Sequence, residues 1–424
     1  MMMPSHTDVV VVGGGSAGLS AALAAARMGS QVVLLEMSNM LGGMGSQAMV
    51  HTFCGLYHPD VSQPPVVANP GLPEEIEKEI RQRISVSQPE KMGRLYVLPQ
   101  DPEVYDSLTK DLVTKEPTLS LLLGSECVGV SLDGDGFKVQ VRAKDNEHTI
   151  SCGSVVDASA NALVAEFLGA ARLKVESEKL QRPAVIFSCS NVENEAGDES
   201  FRMRLALDIV HAVKSGELPA EAMGVSIRQS PTKDKFFISM DLEAGGAGWN
   251  PDDEESVSKV TDQGKDLAAR IYVFLRENYS AFSKASEPQI APVLGIRESW
   301  RWSGKYELRA EDIITGETFS DAVALATWPL ELRENAKGPR LRYFENNDPS
   351  QIPLRSLMSA DVDGVFFAGR CMSATHEALA SVRVMGTCLA TGQAAGLAAT
   401  LHAKGERDIE AVAASIREQI GLVL

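Results

Sequence analysis

Several things are missing from this 424-residue chain, and each absence narrows what it can be. The six cysteines (54, 127, 152, 189, 371 and 388) form no CxxC and no ligand-like spacing. That argues against a zinc site or a disulfide framework and for reduced thiols. None of the seven histidines makes an HxxxH or similar pair, so no metal site is expected. Positive charge is scarce: 40 Lys and Arg against 57 Asp and Glu leave a net charge of −17, a poor match for a nucleic-acid backbone. No apolar run approaches the length needed to span a bilayer, so no membrane partner is expected. Met1–Asp8 is too short and polar to open a signal peptide, because Val9–Val12 runs straight into glycines. A cytoplasmic location is the expectation. Repeats and low-complexity linkers are also absent.

What is present reads as a globular α/β chain long enough for two domains. Asp8–Val12 (DVVVV) is a short, β-branched apolar run, the pattern of a buried parallel strand. GGGSAG follows, then a small-residue helix that ends at Gly29, then a second buried strand, Gln31–Glu36. Gly13, Gly15 and Gly18 therefore stand between a strand and a helix, the context that gives a GxGxxG spacing meaning. Gly13 permits the tight turn, Gly15 lets backbone approach a pyrophosphate, and Gly18 lets the helix pack on the strand. Glu36 lies 18 residues after Gly18, placed to accept hydrogen bonds from a ribose. An acid there repels a 2′-phosphate, so FAD or NAD is favoured over NADP. The next segment, LGGMGSQAMVHTFCGL (41–56), is rich in glycine and nearly free of charge. Helices are expected over Pro73–Ile84, Glu103–Lys115 and Asn161–Gly169, and a β-meander between Leu119 and Ser159 replaces the usual crossover helix. Both departures after Glu36 point to FAD rather than NAD.

Residues 176–344 differ in texture: they hold all four tryptophans, long polar loops and two amphipathic helices. The tail returns to the first pattern, with an apolar strand at Gly364–Gly369 and a small-residue helix over Val384–Ala403. The expected fold is a Rossmann-like FAD-binding domain, a parallel sheet plus β-meander, built discontinuously from 1–175 and 345–424. An α+β substrate or cap domain, 176–344, is inserted in it.

At GGGSAG, LGGMGS, VVDASANALVAEFLGA (155–170), LGIRESWRWSGKYEL (294–308) and VFFAGRCMSATHEALASVRVMGTCLATGQAAG (365–396) the chain resembles a known family. It is similar to FAD-dependent oxidoreductases of the glutathione-reductase-like superfamily, distantly related to fumarate reductase and succinate dehydrogenase flavoproteins. The resemblance implies that Ser16 and Ala17 join the glycine loop at FAD, with Met37 beside Glu36. It places Gly42, Gly43, Met44, Gly45 and Ser46 along the pyrophosphate and ribityl chain. It gives Val128 to the adenine, Ala158 and Ser159 to the adenosine side, Gly369 and Arg370 to the ribityl or pyrophosphate, and Gly386 and Thr387 to the flavin pyrimidine ring. Many relatives carry an acid where this chain has Arg370.

Flavin chemistry needs only a substrate C–H placed at N5 and one managed proton. Among matched segments His376, Arg383 and Arg297 are the catalytic candidates; Glu377 and Arg301 stand near them in sequence. An arginine there can hold a substrate carboxylate or the charge of reduced flavin. The cluster Arg297–Trp302 reads either as a grip on an acidic or aromatic substrate or as a contact between domains. His51 and Cys54 are expected as active-site wall, with FAD bound non-covalently. The leading function is a dehydrogenase or oxidase of a small organic substrate, with an electron acceptor left open. A flavin monooxygenase or halogenase, which generally draws on NAD(P)H, and a non-catalytic flavin-binding protein are the alternatives. A homo-oligomer is left open as well.

Overall fold

A computed structural model describes residues 4–85, 87–144, 146–232, 235–243, 249–334 and 338–424. The chain opens with β1 (His6–Val12), α1 (Ser16–Arg27) and β2 (Val32–Glu36), as their apolar and small-residue runs dictate. The amphipathic helices α2 (Leu72–Arg83) and α3 (Pro102–Thr114) follow, each with proline in its first turn. Asp101 caps α3 by accepting from the Glu103 amide at 3.1 Å. Next come β3 (Leu119–Leu123), β4 (Ser125–Asp133), β5 (Gly136–Ala143) and β6 (Asn146–Asp157).

These strands form one sheet in the order β3–β2–β1–β6–β5–β4. The β1, β2, β3 and β6 neighbours run parallel, and β4–β5–β6 is the antiparallel meander. The period-two stretch expected as one meander thus divides: β3 is the outer parallel strand, and only β4 to β6 meander. At twelve residues, β6 is long enough to serve both halves. Its first part pairs with β5, up to Cys152 opposite Phe137, while its end pairs Val12 with Asp157.

The inserted region holds a second core. β7 (Ala184–Ser190), α4 (Glu199–Ser215), β8 (Ser226–Gln229), β9 (Lys235–Asp241), α5 (Glu254–Asn278) and β10 (Gln289–Ile290) give an antiparallel sheet ordered β8–β9–β7–β10. Its apolar side chains, from Leu180 to Leu294, pack with those of α4 and α5. Trp302, Ile313, Val323, Leu330 and Phe344 pack instead into the first core, although the sequence reading grouped 176–344 together.

The chain then returns to the first sheet. β11 (Val365–Phe367) pairs parallel with the end of β6, and α6 (His376–Val382), α7 (Met385–Ala403) and α8 (Ile409–Ile420) complete the fold. Trp302 stacks on Phe367 with ring centroids 5.0 Å apart, and its indole N–H donates to buried Asp157 at 2.9 Å. Among the described residues no single helix is long and apolar enough to cross a membrane; α6 and α7 reach that length only as a pair bent by 95°.

Helix α7 lies on α1 with almost no side chain between them. A Cβ at Gly392 would strike the Ala17 carbonyl, and one at Gly396 the Ala21 carbonyl. Ser20 Oγ crosses the seam to donate to the Leu389 carbonyl at 2.7 Å. Because the obstructing atoms are backbone, neither helix can yield locally. Gly396→Ala should lower the free energy of unfolding by about 2 kcal/mol, overpacking outweighing a helix-propensity gain of about 1 kcal/mol. Urea titration checks this; a variant as stable as wild type would contradict the close seam.

Candidate functional site

The C-terminal edge of the parallel sheet is where ligands bind in open α/β folds. There α1 begins at Gly15 with no side-chain cap and no acid in its first turn, so its first amides are free to meet an anion. Gly13 takes φ +100°, and a Cβ on it would strike the Ala158 carbonyl; one on Gly18 would strike the Gly13 carbonyl. These two glycines let β1, β6 and α1 converge. Gly15 is the open one: its Cβ would meet nothing nearer than Gly43 Cα at 3.9 Å. At the end of β2 the Glu36 carboxylate is buried and held from both sides. It accepts from the Gly14 amide and the Ser38 amide, each at 2.8 Å. Met37, next to it, is 74% exposed.

The segment from Gly42 to Ser46 comes to the same edge, with the Gly42 amide donating to the Gly14 carbonyl at 2.9 Å. Its glycines are required by close packing within the protein. A Cβ on Gly42 would lie 2.7 Å from the Tyr105 ring, one on Gly45 2.8 Å from the same ring, and one on Gly43 2.8 Å from Gly15 Cα. The space those side chains would take is filled by protein, and the cofactor bed is the surface that results. Ser46 turns its hydroxyl inward to the Leu41 carbonyl, and Met44 is half-buried beside it. Beneath, Tyr105 hydrogen-bonds Ser16 Oγ at 2.9 Å, and Gln100 Nε2 donates to the carbonyls of Gly45 (2.9 Å) and Val50 (2.5 Å). Tyr105 and Gln100 were not legible in the sequence, because each acts on residues about fifty or more positions away.

Further along the edge, Val128 is the extra residue of a bulge: Cys127 pairs with Val141, Gly129 with Gln140, and Val128 with nothing on β5. Beyond Ala158, Ser159 Oγ accepts from the Leu163 amide at 3.1 Å and so starts the short helix Leu163–Leu168. Gly369, at φ +73°, lies against Ala17, where a Cβ would come within 2.9 Å of the Ala17 Cβ. Arg370 reaches back to donate to Asn161 Oδ1 at 2.8 Å, while its Nη1 is buried without a partner. At the far end, α7 starts with no side-chain cap and no acid in its first turn. Gly386 packs on the Gly55 backbone, and the Thr387 hydroxyl is buried without a partner.

The catalytic candidates lie where the cap meets this edge. Asp241, at the end of β9, receives both Arg297 and Arg333 at 2.7 Å. Burial alone would raise its carboxyl, but these two guanidiniums hold it below the usual range. Arg333 also pairs with Glu331 at 2.7 Å. Arg383 donates to Gln181 Oε1 at 3.0 Å and to the Glu331 carbonyl at 3.3 Å; burial lowers it to about 10. His376 is set apart from this group. Its Nδ1 faces buried Glu298 at 2.7 Å and its Nε2 faces Glu334 at 3.1 Å. Burial disfavours its charge, yet those carboxylates outweigh that and raise its pKa. With both nitrogens engaged, His376 has none free for substrate, unlike the direct proton handler expected from sequence. Arg301 completes this second group through Glu298 at 2.5 Å. Trp300 carries Arg172 and Lys174 on its ring, at 4.5 and 4.8 Å, so the 297–302 cluster makes packing contacts within the chain. Cys54 is half-buried, its thiol pushed up to about 12 by desolvation, and all six cysteines are free. His51 stacks on Phe237 of the cap at 4.6 Å.

A sheet edge of this construction is that of a dinucleotide-binding protein. Residues 8–420 match the family described as FAD dependent oxidoreductase, and the chain belongs to that family. Among solved structures it resembles the geranylgeranyl bacteriochlorophyll reductase-like protein of Thermoplasma acidophilum, at a TM-score of 0.51 and 12% identity over 99% of this chain and 85% of that one. It also aligns with p-nitrophenol 4-monooxygenase PnpA of Pseudomonas putida DLL-E4 (TM-score 0.42, 13% identity, 98% and 81% covered). The flavin-dependent brominase Bmp2 aligns at a TM-score of 0.48 and 13% identity, with 98% and 84% covered. At such identities the likeness is one of fold. The residues present fit FAD: an uncapped helix N-terminus beside open Gly15, a carboxylate at the end of β2, an unpaired bulge backbone, and the unpartnered Arg370 and Thr387 groups.

The state of His51 gives a test. Desolvation lowers its pKa to about 4, against about 6.5 unfolded, so the unfolded chain binds more protons between those values. Its contribution to stability is complete above pH ~6.5 and is lost as pH falls toward 4. His51→Phe keeps the stacking and removes the titration. Urea unfolding at pH 7.5 and 5.0 should show a smaller acid loss in this variant than in wild type; equal losses would place His51 in water.

Proposed function

We propose that this family member is a dehydrogenase or oxidase that moves a hydride between a small organic substrate and N5 of non-covalently bound FAD. We also place it in the glutathione-reductase-like superfamily, distant from fumarate reductase and succinate dehydrogenase flavoproteins; the β6 strand shared by parallel sheet and meander supports that placement. Bound FAD supplies the two-electron chemistry. The observation that carries the reading is the start of α7. The Gly386 amide is taken by the Cys54 carbonyl at 2.9 Å, and the remaining first-turn amides, with the unpartnered Thr387 hydroxyl and no acid in the first turn, favour negative charge on whatever group they face. That suits a cofactor that becomes anionic as it accepts electrons.

The other residues divide the work. Glu36 and the Val128 bulge take the adenosine end, and Gly13, Gly15 and α1 take the pyrophosphate. Gln100 and Tyr105 keep the 42–50 segment in place. Arg297 and Arg333 are spent on Asp241, which makes them organisers of the cleft. Arg383 is left facing the substrate. The high pKa of Cys54 leaves little thiolate for a covalent link at neutral pH.

Anaerobic titration of the holoprotein with metabolite pools should bleach the flavin band without NADPH. Bleaching by NADPH and by no candidate substrate would move the assignment to a monooxygenase or halogenase. A flavin that neither source reduces would support a non-catalytic role.

A further inference from the structure

The charges in the cleft do not balance. Three guanidiniums, Arg297, Arg333 and Arg383, meet there, and two carboxylates, Asp241 and Glu331, serve them. Both carboxylates are spent: Asp241 on Arg297 and Arg333, and Glu331 on Arg333 and the Trp328 indole at 2.8 Å. Arg383 has neutral partners only, the Gln181 amide oxygen and a backbone carbonyl. Its Nε is buried without a partner, and so is Nε2 of Gln181, a residue that is 1% exposed. Both orphaned groups are donors, and so is the guanidinium edge between them. What is missing is an acceptor, and the charge asks for an anionic one.

A second cation faces the same place from the cap. Arg228, on β8, has Met92 Sδ at 2.7 Å as its described partner and no carboxylate within 4 Å among the described residues. Leu95, Val97 and Trp328 form a small buried apolar cluster, and the half-buried Cys54, Met92, Tyr343 and Val384 pack over it. Met92, which carries Arg228, and Val384, the neighbour of Arg383, pack against the same apolar cluster, so the two arginines stand around it. The exposed Arg94 lies over the Tyr343 ring at 4.9 Å, adding positive charge at the rim. In a chain of net charge −17, unpaired guanidiniums around an apolar patch are out of keeping with the rest of the molecule.

We propose that the substrate is an organic carboxylate with an apolar body. Its charge is met by Arg383, with Arg228 opposite, and its body lies on the half-buried Cys54, Tyr343 and Val384 side chains that cover the Trp328 cluster. This names the substrate class of the oxidoreductase reading and rests on it. Gln181 is a positioning residue, holding the Arg383 guanidinium toward the cleft.

The test is a titration of the holoprotein with phenylacetate, its neutral counterpart phenylacetamide, and succinate, following the flavin spectrum. Phenylacetate should perturb the band, and phenylacetamide should bind at least about tenfold more weakly. Succinate, which lacks the apolar body, should also bind more weakly than phenylacetate. Arg383→Met should lose at least about tenfold in acid affinity and leave the amide unchanged, and Arg383→Lys should recover part of the loss. If Arg383→Met fails to retain FAD, Arg228→Met makes the same comparison, with a several-fold loss expected for the acid alone. Equal affinity for acid and amide, acid binding that survives the substitution, tighter binding of succinate, or no response to any ligand at millimolar concentration would overturn the proposal. The titration reads binding without turnover. An intact acid preference with no reducible substrate would therefore sink the redox reading alone.

Discussion

Everything at this site depends on backbone meeting backbone at the end of the parallel sheet. Gly13, Gly18 and Gly43 bring β1, β6, α1 and the 42–46 segment to distances at which any Cβ would strike a neighbour. The same device recurs where α7 lies on α1 through Gly392 and Gly396, and where Gly386 rests on Gly55. Three stretches far apart in sequence are thereby held in one rigid edge. Helices α1 and α7 both start without a side-chain cap or a first-turn acid, and in α7 the Gly386 amide is taken by the Cys54 carbonyl. A helix terminus attracts an anion only weakly in water; fixed in place beside a buried partner it does so much better.

The cap adds chemistry to this frame. It has its own core, and its Asp241 pairs with Arg297. Burying so much charge is costly unless each group is paired. Arg297 and Arg333 both have a carboxylate partner in Asp241, Arg301 has one in Glu298 although its Nε is unpartnered, and Arg383 has only neutral hydrogen-bond partners. On the proposal above, that contrast separates the residues that organise the site from the one left to face a ligand. His376 falls on the organising side, because two carboxylates already take its ring nitrogens.

Much of this was legible in the sequence. The strand–glycine–helix unit, Glu36 and the returning α7 follow from local rules of spacing and residue size, and the structure places them as those rules expect. Local rules gave out where a residue's partner is remote. The glycines of 41–56 signalled close approach but not its agent: the Tyr105 ring and the Gly15 backbone fill the space. Likewise, His376 stood out as a candidate because it lies in a segment matched to the family, whereas its environment comes from Glu298 and Glu334, 78 and 42 positions away. The reach of the cap was read from tryptophan content and loop texture. Trp302 and Trp328 instead pack outside the cap core, one on Phe367 and Asp157, the other beside Leu95 and Val97.

The central claim is that a preformed edge holds FAD without a covalent bond. Acid precipitation of the purified protein tests it most directly, with the flavin in each fraction identified by mass and absorbance. One FAD per chain should appear in the supernatant, leaving a colourless pellet. Yellow colour retained by the pellet, or a protein that carries no flavin and takes none up, would contradict the account.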